Sequence, residues 1–145
     1  MRYLAESPEH AIGEVLSPFR GTDFRPAYLR QGRLQLALVE VALAPSLVRR
    51  VPDCTDPAVL ARLGLRPDEL AHHDRTLTQA IARRLHGHGA AGLRWWSALT
   101  GAWHTTVVFT DRERAGEVAF GTPRELEPTD PAVIRALSVL GIRVR

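Results

Sequence analysis

The chain contains no lysine and no asparagine, and among its 145 residues there is one cysteine and one methionine. With lysine absent, all 19 basic side chains are arginine. Lysine and asparagine share AT-rich codons, so GC-rich coding accounts for both gaps without any appeal to function. A single cysteine, Cys54, excludes an internal disulfide and suits a reducing cytosol. Cys54 stands among Pro52, Asp53 and Asp56, with no histidine or cationic neighbour in sequence. A reactive thiol is therefore not expected there. Long apolar runs are also missing. The longest, from Leu34 to Ala44, is interrupted by Glu40 and falls well short of the ~20 residues that span a bilayer. The N-terminus lacks the basic stretch and apolar run of a secretory signal. The expectation is a cytoplasmic protein with no membrane segment.

The charge excess is small: 19 basic against 16 acidic side chains, formally +3 at pH 7. Arginines alternate with acids, as in Asp111-Arg112-Glu113-Arg114, whereas a nucleic-acid surface gathers them on one stripe. Direct nucleic-acid binding is not expected. A chain of this length is one domain by size, and it can bury about 70% of the surface it exposes when unfolded. It needs no metal or disulfide for its core. Residues 1–145 are thus read as one domain.

Local patterns predict the elements. Arg2 to Glu6 reads as a strand. Ser7 is placed to cap a helix that carries Pro8 in its first turn, with an apolar stripe of Ala11, Ile12, Val15 and Leu16 and an end near Ser17-Pro18. Residues 19–32 read as a loop, Leu34 to Val41 as a largely buried strand with a helix as the alternative, and Val51 to Thr55 as irregular. Asp56-Pro57 opens a short helix stopped at Gly64, and another turn starts at Pro67. Leu77, Ala80, Ile81, Arg84 and Leu85 mark an amphipathic helix over residues 74–86, ended by His86-Gly87-His88-Gly89. Strands follow at Leu93 to Ser97, Thr105 to Thr110 and Val118 to Gly121. Asp130-Pro131 starts a helix with Val133, Ile134, Leu137 and Leu140 inside, stopped at Gly141, and Ile142 to Val144 makes a last short strand. Strands and helices mix without strict alternation, so the expected class is α+β (mixed α/β).

Two segments carry the chemistry. The first is Tyr3-Leu4-Ala5-Glu6-Ser7-Pro8-Glu9-His10-Ala11-Ile12-Gly13-Glu14, and the second is Gly92-Leu93-Arg94-Trp95-Trp96-Ser97, followed by the strand Thr105-Thr106-Val107-Val108-Phe109. The first resembles the central motif of the RES-domain family, bacterial proteins many of which are toxins of toxin–antitoxin pairs. The second is similar to that family's glycine–aromatic–serine segment, although Trp95-Trp96 stands where members commonly carry tyrosine-proline. Leu77-Thr78-Gln79-Ala80-Ile81-Ala82 resembles the helix before that serine. By this resemblance Tyr3 matches the motif tyrosine, Glu14 the glutamate and Ser97 the serine. The family's arginine lies upstream of the tyrosine strand, where only Met1 and Arg2 stand here, and Arg2 is out of place to substitute. The expectation is an N-terminally truncated member lacking the arginine-bearing segment.

The resemblance implies a split sheet with flanking helices, like that of ADP-ribosyltransferases, and cleavage of the nicotinamide–ribose bond of NAD+. NAD+ is then a substrate and no cofactor is implied. Glu14 would be the catalytic carboxylate, with Tyr3 and Ser97 binding substrate. A cognate helix-turn-helix antitoxin is the implied protein partner. The alternative is a truncated or degenerate relative that binds a nucleotide or antitoxin without turnover. Periodicity alone makes Glu14 a solvated helix residue, Tyr3 a core or edge-strand aromatic and Ser97 a strand-end serine. Trp95, Trp96 and Trp103 read as core. His86 and His88, without an acid or cysteine nearby in sequence, read as a helix end rather than a metal site, and His72-His73 as a surface pair.

Overall fold

A computed structural model describes residues 1–70 and 75–144 of the chain; the expected surface pair His72-His73 and the expected helix start at Asp74 lie outside the described residues. The protein is α+β, with helices and several small sheets. It divides into two compact units, Met1–Leu4 with Ala42–Ala119, and Ala5–Val41 with Phe120–Arg145.

The first unit is built on a three-stranded sheet ordered β1-β7-β6, from β1 (Arg2–Ala5), β6 (Gly92–Trp96) and β7 (His104–Val108). β6 and β7 are antiparallel, with Gly92 opposite Val108 and Trp96 opposite His104. Successive strand residues face opposite sides, and both sides are covered. Leu93 and Val107 join a core with Leu60 of α3 (Pro57–Leu63), Leu70 of α4 (Pro67–Leu70) and Ile81 and Leu85 of α5 (Arg75–Gly87). Val108 and Ala91 join Leu47 of α2 (Pro45–Val48), with Leu4, Leu43, Val51 and Val118 packed against them. β5 (Val41–Leu43) pairs with β8 (Val118–Phe120).

Local chemistry explains the helix limits here. The Asp56 carboxylate accepts from the Ala58 amide at 2.8 Å and caps α3; Gly64 ends it at φ +60°, a conformation open to glycine at little cost. α5 buries Ile81, Ala82 and Leu85 as its amphipathic period requires, with Ala80 turned outward. The irregular segment after α2 does more than its sequence suggests. The Cys54 amide donates to the Arg94 carbonyl (2.8 Å), and the Arg94 amide to the Pro52 carbonyl (3.0 Å), so residues 52–54 line the side of β6. Glu117 is buried. It accepts from the Arg114 amide (2.9 Å), the Ser46 hydroxyl (2.7 Å) and the Arg50 guanidinium (2.5 Å). Burial alone would raise its pKa; these donors reverse that and hold it at about 2.

The second unit pairs α1 (Pro8–Leu16) with α6 (Pro131–Leu140). Ser7 caps α1 by accepting from the His10 amide at 3.1 Å, and Glu9 pairs with Arg135 of α6. α6 buries Ala132, Val133, Ala136, Leu137 and Leu140 and ends at Gly141. Ile134, expected inside, is half exposed; it lies between the buried i, i+3 and i+4 rows. Asp130 starts the helix without capping it, because its carboxylate accepts from the Glu127 amide and Arg124 instead. The expected single strand from Leu34 to Val41 is not formed. β3 (Leu34–Gln35) pairs with β2 (Arg30–Gln31), β4 (Ala37–Leu38) with β9 (Arg124–Glu125), and Val41 already belongs to β5. Each pairing lasts two or three residues before the partner changes, so Leu34 is left 75% exposed. β2 and β3 close a hairpin around Gly32 at φ +62°, the left-handed position that a two-residue loop assigns to glycine. The expected last strand reduces to one bridge, Asp23 to Arg143.

Candidate functional site

Tyr3 and Ser97 fall in the first unit and Glu14 in the second. Tyr3 lies on β1 and Ser97 directly follows β6, the two outer strands of the sheet, with β7 between them. Strand alternation turns Leu4 into the core and leaves the Tyr3 ring 66% exposed. The strand is tied down beside it, since Arg2 Nε donates to Glu113 Oε2 at 3.0 Å. Tyr3 therefore presents an open aromatic face on a fixed backbone.

Ser97 is buried. Its amide donates to the Trp103 carbonyl at 2.7 Å, and its Oγ accepts from the Leu99 amide at 3.1 Å. These bonds close the 97–103 loop, so the hydroxyl has a structural task whatever else it does. Trp95 and Trp96 are half-buried against the core, in keeping with the core reading. Gly92 opens this strand because nothing larger fits. A Cβ there would stand 2.0 Å from the Val107 carbonyl oxygen.

On the same strand Arg94 organises a polar cluster that the sequence reading missed. Its Nη1 donates to Asp53 Oδ2 at 2.6 Å and its Nη2 lies 2.9 Å from His104 Nδ1. Asp53 Oδ1 also accepts from the amide and hydroxyl of Thr55. Burial pushes the Asp53 pKa up, but the Thr55 and Arg94 donors outweigh it and the net shift is downward. Strand spacing within the motif was the available signal; Asp53, 41 residues away, had none. Cys54 beside it is fully buried, and desolvation raises its thiol pKa to about 11, with the Asp53 charge adding to the effect.

Glu14 stands in the last turns of α1 with its side chain 45% exposed. Its Oε1 is 3.1 Å from Nε2 of His10, one turn back and fully buried. Of the expected apolar stripe α1 buries Ile12 and Leu16 and leaves Val15 half exposed, and beside them it buries His10 and Gly13. The i, i+4 spacing was the only sequence signal for this pair.

The second unit also holds a cavity of about 210 Å³ against α1, lined by Ala11, Ile12, Val15, Leu16, Leu29 and residues 36–39 with Leu126. Its side chains are all apolar. Ligand sites carry a few placed polar groups and are usually 300–1,000 Å³, so this cavity is not by itself a place for a charged dinucleotide. Among the described residues no group of three or more His, Cys, Asp or Glu can hold a metal ion. His86 sits at 2.6 Å from Asp111 and accepts from Arg112 Nε at 3.2 Å, joining the end of α5 to the turn after β7. No helix among the described residues is long and apolar enough to cross a membrane.

Residues 1–130 match the model of the RES domain. The chain belongs to the RES-domain family. No curated protein and no solved structure gave a match. The RES-domain match spans Tyr3, Glu14, Gly92 and Ser97 and stops just before α6.

Proposed function

We propose that this RES-domain protein consumes NAD+ by breaking its nicotinamide–ribose bond and passing ADP-ribose to phosphate, water or a protein. The observation that supports this most is Glu14. The carboxylate at the family's glutamate position is solvent-accessible, sits on a capped helix and is met by a buried imidazole.

The residue types suit the chemistry. Nicotinamide leaves as a neutral ring while the ribose C1′ becomes oxocarbenium-like. A carboxylate about 4 Å from that developing charge gains on the order of 4 kcal/mol at an effective dielectric near 20. That is close to a thousandfold in rate if the group is held in place beforehand. The exposed Tyr3 ring is suited to stack on cationic nicotinamide, worth about 0.5–2 kcal/mol. This attraction fades as the ring loses its charge, so it serves binding more than the chemical step. A hydrogen bond from Ser97 to a ribose or phosphate oxygen adds about 1 kcal/mol. In this reading the protein is a cytoplasmic toxin held by a cognate helix-turn-helix antitoxin, and its sheet is part of an ADP-ribosyltransferase-like split sheet.

The test is purified protein mixed with NAD+ and analysed for free nicotinamide. We expect release, reduced by about 10²–10³-fold in Glu14→Gln, the loss typical of removing one preorganised electrostatic group. A wild-type protein that binds NAD+ without releasing nicotinamide would be a binding module, and the enzymatic reading would fall.

A further inference from the structure

We propose that His10 is the positioning residue for the Glu14 carboxylate, an inference that rests on the NAD+-cleaving reading above. The two side chains occupy successive turns on one face of α1. Helical side chains lean toward the N-terminus, so Glu14 lies back over His10. The contact is made by Nε2, at 3.1 Å from Glu14 Oε1.

The two partners differ sharply in freedom. The imidazole is 0% exposed, and a ring in a close-packed interior does not reorient easily. The glutamate is nearly half exposed and its side chain has three rotatable bonds, so in water it would sample many rotamers. A donor with a fixed address narrows the rotamers open to such a side chain. The pairing requires a hydrogen on Nε2, and the oxygen that accepts it belongs to the carboxylate that the reading above sets against the oxocarbenium ion. His10 makes this contact from inside the unit, where it takes no part in touching substrate. The geometry is that of a side chain that acts through another.

A helix-stabilising pair with no functional role would predict something different. An i, i+4 pair that only supported the helix would add little to stability, and its loss from a folded protein would leave kcat alone. The experiment therefore measures kcat and KM for nicotinamide release from NAD+ in wild type, His10→Leu, His10→Gln, Glu14→Gln and the double variant His10→Leu/Glu14→Gln, with far-UV circular dichroism as the folding control. Leucine fills the buried site without a donor, and glutamine restores an N–H. We expect His10→Leu to lower kcat by about 10- to 100-fold, the range for losing a hydrogen bond to a charged group. KM should stay within about twofold, because an effect confined to the transition state leaves substrate binding alone. His10→Gln should recover part of the loss, and the leucine substitution should add nothing once Glu14 is gone. Wild-type kcat in folded His10→Leu, or an equal loss in the Glu14→Gln background, would overturn the inference while leaving the reading of Glu14 intact. If wild type releases no nicotinamide, that reading fails on its own account. The pairing is then judged by 15N NMR of the His10 ring: Glu14→Gln must shift the Nε2–H signal, and an unmoved signal would overturn it. The same NMR measurement decides if His10→Leu does not fold.

Discussion

Replacing Gly92 by alanine adds one methyl group at the start of β6, and the structure says where that methyl must go. It would lie 2.0 Å from the Val107 carbonyl oxygen, 3.0 Å from its carbon and 3.2 Å from Val108 Cα. The nearest ordinary carbon–oxygen approach is about 3.3 Å, so β7 or β6 must move by about 1.3 Å. All three obstacles are backbone, in the strand directly paired with Gly92, and no side chain can rotate away to make room. Overpacking of this kind costs about 1–3 kcal/mol. The displacement also strains the bonds that flank Gly92, from the Phe109 amide to the Ala91 carbonyl and from the Ala91 amide to the Arg50 carbonyl, both 2.8 Å, at about 1 kcal/mol each. The sum is about 3–5 kcal/mol, which for a chain of this size lowers the melting temperature by roughly 10 °C or more. Thermal unfolding followed by far-UV circular dichroism measures it. Gly87→Ala is the matched control: the same methyl meets nothing within 4 Å, sits at the end of α5, and gains helix propensity, so its melting temperature should equal or exceed that of wild type. Should Gly92→Ala melt within about 2 °C of wild type, equivalent to under about 1 kcal/mol, the close approach of β6 and β7 at this point would be wrong.

Other outcomes follow from the same contacts. Glu117 has its pKa depressed from an ordinary 4.5 to about 2, so its ionised form favours the folded state. The stability gap between wild type and Glu117→Gln, read from urea midpoints, should be full above about pH 4.5, shrink as pH falls, and close near pH 2; a gap that did not change with pH would refute the assignment. Ser7→Ala removes the α1 cap and should cost about 1 kcal/mol, seen as a small drop in melting temperature that Ser7→Asp largely avoids. Cys54 is fully buried with its thiol at about 11, so an aromatic disulfide reagent at neutral pH should label it only after unfolding, and rapid labelling of the native protein would count against that environment.

Elements with local signals were legible before any fold was known. Ser7 and Pro8, Asp56 and Gly64, Pro131 and Gly141 mark helix ends through hydrogen bonds and dihedral limits that act within a few residues, and the observed helices begin and stop there. β6 and β7 were readable for the same reason, as apolar and β-branched runs bounded by turns. The RES resemblance, confirmed over residues 1–130, rested on such short segments too. Leu34 to Val41 failed because its pattern names a strand without naming partners. Three different partners take two or three residues each, and pairing is settled by segments far away along the chain. His10 carried no signal of its own for a related reason. Nothing in the residues near it states that the covered side of α1 extends past its apolar stripe, and only packing turns a nominally polar position into a buried neighbour of Glu14. Local stereochemistry thus dictated where the capped helices begin and end, and the short motif segments by themselves carried the family resemblance. The tertiary fold alone decided which polar side chains were taken out of water and what each then had to bond, because that choice depends on surfaces contributed by distant parts of the chain.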